Sequence, residues 1–98
     1  MAKRKFEIFW SPEAEETYIA TIVFILNQWP VEVAEDFEAL VENLLERLRR
    51  YKYLCPPSAK FKELRRCVIS EQTSLIYRVK GNEIELVSFI DNRSAPIY

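Results

Sequence analysis

The apolar positions of this chain change period along its length, and the changes mark element boundaries. Phe6 to Trp10 is a compact run of aromatic and β-branched residues with only Glu7 charged, which predicts a short strand. Ser11-Pro12-Glu13 then reads as a helix start. Serine can accept from free backbone N–H groups, proline suits the first turn, and Glu13, Glu15 and Glu16 meet the positive end of the helix dipole. From there Ala14, Tyr18, Ile22, Ile25, Leu26 and Trp29 recur at helical spacing, with Ile19 and Val23 widening the stripe. Pro30 closes this helix, and a second helical stripe follows at once: Ala34, Phe37, Leu40, Val41, Leu44, Leu45 and Leu48. Acidic residues crowd its first half and arginines its last turn, as the helix dipole favours. Two amphipathic helices with almost no linker predict a helical hairpin whose stripes are core.

Residues 51–62 form a loop region centred on Cys55-Pro56-Pro57-Ser58, after which the period falls to two. Strands are predicted over 66–70, 73–80 and 83–90, with Gly81-Asn82 a two-residue hairpin turn and Glu71-Gln72 a weaker one. Leu75, Tyr77 and Val79 share one face of the middle strand, and Ser74, Ile76, Arg78 and Lys80 the other. In the last strand Ile84, Leu86, Ser88 and Ile90 oppose Glu85, Val87 and Phe89. The predicted order is β-α-α-β-β-β, an α+β fold. Its N-terminal strand precedes a helical hairpin packed on one face of an antiparallel sheet, with the other face partly open. Residues 1–98 make one domain.

Composition narrows the chemistry. No apolar segment of signal type follows Lys3, Arg4 and Lys5, and the longest apolar run is far short of the roughly 20 residues that span a bilayer, so a cytoplasmic protein is expected. Cys55 and Cys67 are then expected to be two reduced thiols. With no histidine, only two cysteines and a single glycine, the usual metal site, general base and phosphate-cradling loop have no residues to build them. No cofactor or metal is expected. Residues 1–46 carry 3 basic and 10 acidic side chains, a net of −7, whereas residues 47–98 carry 11 basic and 5 acidic, a net of +6. Eight of those cations fall within residues 47–66, among them Lys62, Arg65 and Arg66, with Tyr51, Tyr53 and Phe61 interleaved. Such a stretch allows contact with phosphates and bases, and equally describes a cation-rich helix end followed by a solvated loop.

The strand ending in Trp10-Ser11-Pro12-x-Ala14, the two helices, and then RRCVIS, SLIYRV, IELVSFIDNR and Pro96 resemble, in this order and over essentially the whole chain, the RelE/ParE superfamily of bacterial toxins from toxin–antitoxin systems. RelE-like members cleave mRNA in the ribosomal A site with arginines, lysines and a late tyrosine. ParE-like members inhibit DNA gyrase and are not nucleases. Arg93 and Tyr98 sit roughly where a RelE-type rim arginine and tyrosine would be, with Arg78 joining them only on a RelE-like reading, but the strand Cys67 to Ser70 lacks the basic residue such nucleases place there, although Arg65 and Arg66 lie just before it. The Asp91-x-Arg93-x-x-Pro96 ending resembles the ParE tail, from which Ile90 and Asn92 depart.

The resemblance therefore implies a ParE-like gyrase inhibitor, with Arg93, Arg65, Arg66 and Lys62 meeting the target and no enzymatic activity of its own. It also implies a cognate antitoxin, laid over exposed apolar groups such as Trp10, Tyr18 or Trp29, in a toxin–antitoxin hetero-oligomer. Two rivals remain at this point: a RelE-like nuclease acting on ribosome and mRNA, and a relative that keeps the fold as a binding module without toxicity.

Overall fold

The computed structural model describes residues 5–93 and 98, so Pro96 of the resemblance lies outside the described residues. The elements are β1 (Glu7–Trp10), α1 (Pro12–Gln28), α2 (Val31–Arg50), β2 (Arg65–Val68), β3 (Thr73–Lys80) and β4 (Glu83–Asp91). The order is the predicted one, and both helices pack on one face of a four-stranded sheet arranged β1-β4-β3-β2.

One strand runs against expectation. β1 pairs with β4 in parallel, Ile8 facing Ile84 and Trp10 facing Leu86, so the sheet is mixed rather than antiparallel. The physical reason is the crossover. The helical hairpin lies on one face between β1 and the later strands, and so leaves room for a parallel return. The break between the helices follows the sequence. Trp29 is extended, as the residue before a proline must be, and its N–H still reaches Ile25 O at 2.9 Å. Gly81 carries the β3–β4 hairpin with φ 61°, the positive value that the first central residue of such a turn needs.

A bulge in β4 organises the core. β3 and β4 stay in step from Lys80↔Glu83 to Tyr77↔Leu86, and then Ile76 pairs with Ser88, leaving Val87 as the extra residue. The bulge resets the alternation. Ile84 and Leu86 point at the helices, but so does Phe89, while Ser88 lies on the opposite face beside Ile76. The face assignment expected for Ser88, Ile90 and Phe89 is therefore reversed beyond Val87. Helix α1 satisfies the backbone groups that the bulge displaces. Ser11 Oγ donates to Val87 O at 2.9 Å and accepts from Ala14 N as the helix cap, and Thr17 Oγ1 accepts from Phe89 N at 2.9 Å.

The loop before β2 also folds differently from expectation. Arg66 N donates to Pro56 O and Ser58 N to Leu64 O, so residues 56–58 turn back along β2. This brings Cys55 opposite buried Cys67, with a Cα–Cα distance of 5.3 Å, and the two are joined as a disulfide rather than held as separate thiols. Tyr77, fully buried in β3, anchors the same loop: its hydroxyl donates to Lys52 O at 2.8 Å and accepts from Cys55 N at 3.3 Å. The β2–β3 turn has chemistry its sequence hides, because Ser70 Oγ accepts from both Gln72 N and Thr73 N.

Replacing Thr17 by valine keeps the shape but leaves the buried Phe89 N–H without an acceptor. Urea unfolding of Thr17→Val is expected to show a loss of about 1–3 kcal/mol with an unchanged denaturant slope.

Candidate functional site

The end of β4 meets the β2–β3 turn, and Asn92 makes the junction. Its backbone N–H donates to Gln72 O at 2.8 Å, and its side-chain amide donates to Ser70 O and Glu71 O, both at 3.1 Å. Its Oδ1 accepts from Ser74 Oγ at 2.6 Å and from Arg66 Nη2 at 2.8 Å. The single side chain thus fixes a turn, the strand end and one arginine. The sequence reading treated Asn92 only as a departure from the family tail. Its role is visible only once 92 and 70–74 are neighbours.

Alternation past the bulge puts Asp91 and Arg93 on the helix side of this end and Asn92 on the other. Arg93 folds back on Asp91, with Nε to Oδ1 at 3.1 Å and Nη2 to Oδ2 at 2.9 Å, while its backbone N–H donates to Oδ1 at 2.8 Å. These bonds from Arg93 hold the exposed Asp91 carboxyl down at about 2. The clasp is therefore complete above the ordinary carboxylate range near pH 3.8 and opens only as pH falls through about 2.

Beside it, α1, α2 and the β2–β3 turn enclose an open groove of about 540 Å³. Phe24, Trp29, Val33 and Leu40 line it from the helices, and Gln72, Asp91 and Arg93 from the sheet end. The helix stripes are less covered than their spacing implied. Ile19 is 62% exposed, Val23 49% and Leu26 46%, so α1 presents apolar side chains to solvent as well as to the core. Trp29 stands at the hairpin tip, exposed, edge-on to Phe24. Trp10 and Tyr18 are half-buried instead, in one aromatic cluster: Trp10 stacks on Phe89 at 5.6 Å and meets Tyr18 edge-on at 5.3 Å, and Tyr18 stacks on Phe37. Burial first, then Glu38 and Glu42, push the Tyr18 phenol up. Of the three groups expected to meet an antitoxin, Trp29 stands on the groove.

The four cations expected to meet a target are distributed. Arg93 is at the groove mouth. Arg66 lies on the other face of the same sheet end, held by Asn92 and Ser74. Arg65 shares the helix face but is used internally, donating to Cys55 O at 2.6 Å and lying over the Tyr53 ring at 4.7 Å. Lys62 is exposed in the loop.

The residues of a RelE-type set are not brought together. Arg78 is paired with Glu85 across the hairpin. It lies five residues along β3 from Thr73, the partner of Asp91, which is about 17 Å away at strand spacing. Tyr98 packs edge-on against Phe61 at 6.1 Å. Burial and then Glu13 push its phenol up, away from the range in which a tyrosine gives or takes a proton near neutrality. Among the described residues no three histidine, cysteine, aspartate or glutamate side chains gather as a metal site, and no helix is long and apolar enough to cross a membrane.

A family model for the ParE toxin of type II toxin–antitoxin systems (parDE) matches residues 8–96. The chain belongs to the ParE toxin family. Solved structures agree at the level of fold. A chromosomal ParDE toxin–antitoxin system from P. aeruginosa superposes with a TM-score of 0.75 at 15% identity, covering 91% of this chain and 98% of that one. A YoeB/ParE toxin from Agrobacterium tumefaciens gives 0.65 at 13% identity, covering 88% and 98%. The toxin–antitoxin complex RelBE2 from Mycobacterium tuberculosis gives 0.61 at 11% identity, covering 95% and 98%. A search of curated protein sequences finds no match.

A carboxyl-resolved NMR titration is expected to place Asp91 near pH 2 and to move it up towards the ordinary aspartate value of 3.8 in Arg93→Ala.

Proposed function

We propose that this ParE-family toxin acts by binding DNA gyrase, and that it cleaves no RNA. The observation that carries this is the state of the basic groups a nuclease without histidine would need. Arg93 is clasped by Asp91 and Arg78 is paired with Glu85, at separate ends of the sheet. The Tyr98 phenol is pushed up rather than down. Transition-state stabilisation of a phosphate requires several cations converging on one point, and proton transfer requires a group poised near neutrality. A protein–protein contact requires neither. A rim arginine whose planar head is held in a fixed direction serves recognition well, since less side-chain freedom is lost on binding.

We further propose that a cognate antitoxin covers the apolar surface of α1 and the groove beside Trp29, forming a toxin–antitoxin hetero-oligomer in the cytoplasm. Exposed aliphatic and aromatic groups around one groove suit an amphipathic segment read through its apolar face. Solved neighbours such as the YoeB–YefM complex from Staphylococcus aureus are themselves toxin–antitoxin assemblies, which supports the same arrangement here.

The direct test is a supercoiling assay with purified gyrase. Excess wild-type chain is expected to block supercoiling, Arg93→Ala to weaken that block about tenfold or more, and neither to shorten RNA on translating ribosomes. Full supercoiling activity under excess toxin, with message cut on ribosomes, would sink the proposal.

A further inference from the structure

Helix α2 carries a second stripe beside its buried one. Val33, Asp36, Leu40, Asn43, Arg47 and Arg50 recur at alternating spacings of three and four, the spacing by which two helices interlock. The stripe is on the surface, and Leu40 at its middle is 46% exposed. It forms one wall of two grooves that meet at Leu40. The first is the one at Trp29, and the second, of about 560 Å³, runs between α2 and β2 past Arg47 and Arg50 to Tyr51 and Val68. Val68, at the sheet edge, is 70% exposed.

The charge along this stripe is antisymmetric. Its first half holds Asp36 and its second half Arg47 and Arg50. Among the described residues none of the three makes an ion pair within the chain, whereas Arg49, one position off the stripe, is paired with Glu46. An antiparallel partner with the same sequence, placed about a two-fold axis between residues 41 and 42, sets Leu40 against Asn43, Asp36 against Arg47 and Val33 against Arg50. The Asp36–Arg47 match sets opposite charges face to face, and the other two lay an apolar side chain along a polar one. The two Asp36–Arg47 matches stand about 16 Å apart along the helix, one at each end of the contact. Small Ala39 and polar Asn43 beside the axis allow close approach.

We infer that α2 is a self-association surface and that its occupant is a second copy of this chain, docked antiparallel with each α2 in the other's groove. The self-complementary order of charge is what selects that occupant: any one-signed partner would leave half of the stripe unmatched. Tyr51, 57% exposed at the end of α2, then gains cover from the first turn of the partner helix. The contact takes up the α2 wall of the groove beside Trp29, so a second copy and an antitoxin compete for that groove, while the α1 face, with Ile19 and Val23, stays free for another protein.

The test is sedimentation equilibrium of the full chain with a charge-reversal cycle. Wild type is expected to form a reversible dimer with a dissociation constant below about 100 µM. Asp36→Arg and Arg47→Asp are each expected to weaken it about tenfold, because each removes both symmetric pairs and adds like-charge contacts. The double variant Asp36→Arg/Arg47→Asp restores both pairs in reversed sense and is expected to return to within about threefold of wild type. Both side chains are exposed and unpaired, so far-UV circular dichroism should be unchanged throughout. A chain that stays monomeric at 100 µM (about that of a weak dimer) overturns the inference, including when the groove is instead filled on adding antitoxin. So does a double variant no tighter than the singles.

Discussion

One extra residue in β4 sets the position of almost everything that matters here. Without the bulge at Val87, strand alternation would bury Ser88 against the helices and turn Phe89 out. With it, Phe89 joins Trp10 and Tyr18 in the core cluster, and the phase of the strand beyond is shifted by one. That shift sends Asp91 and Arg93 to the groove side and Asn92 to the other. A bulge leaves polar backbone groups out of the ladder, and a buried N–H or C=O without a partner is costly. Ser11, the cap of α1, and Thr17, six residues further on, supply those partners. The Ser-Pro helix start therefore has two jobs: it caps α1 and it clamps the bulge.

The rim that results is built to hold still. Asn92 bonds to three groups of the β2–β3 turn, to Ser74 of β3 and to Arg66, and Asp91 holds Arg93 through Nε and Nη2. Arginines fixed in this way present direction and hydrogen-bonding capacity to a partner, and the charge of Arg93 is already balanced by Asp91. Such a surface is suited to recognition. A clasped arginine is poorly placed to gather charge on a reacting phosphate.

Much of the fold was legible because it rests on local chemistry: the Ser11-Pro12 start, the Trp29-Pro30 break, the Gly81 turn and the period-two alternation of β3. What escaped depends on contacts between distant residues. The parallel pairing of β1 with β4 has no local signal, since both strands are short apolar runs. The phase reversal at Val87 is invisible to a period argument that assumes no insertion. Cys55 and Cys67 were read by compartment, whereas their pairing follows from the fold-back of residues 56–58 on β2. Apart from Tyr18 and Trp29, offered to an antitoxin, the spacing of the α1 stripe implies core. Ile19, Val23 and Leu26 are apolar at positions that the single chain does not cover, which is the signature of a helix with a partner. Arg93 was found as a rim residue by sequence. Its carboxylate clasp was not, because side chains two residues apart meet only when the backbone turns between them.

The most direct measurement of the central claim is made in cells that express the chain without an antitoxin, following DNA damage and protein synthesis together over the first minutes of induction. A gyrase-directed rim predicts an early DNA-damage response while amino-acid incorporation continues and message stays intact. Immediate arrest of incorporation with cleaved message, and no DNA damage, would contradict it.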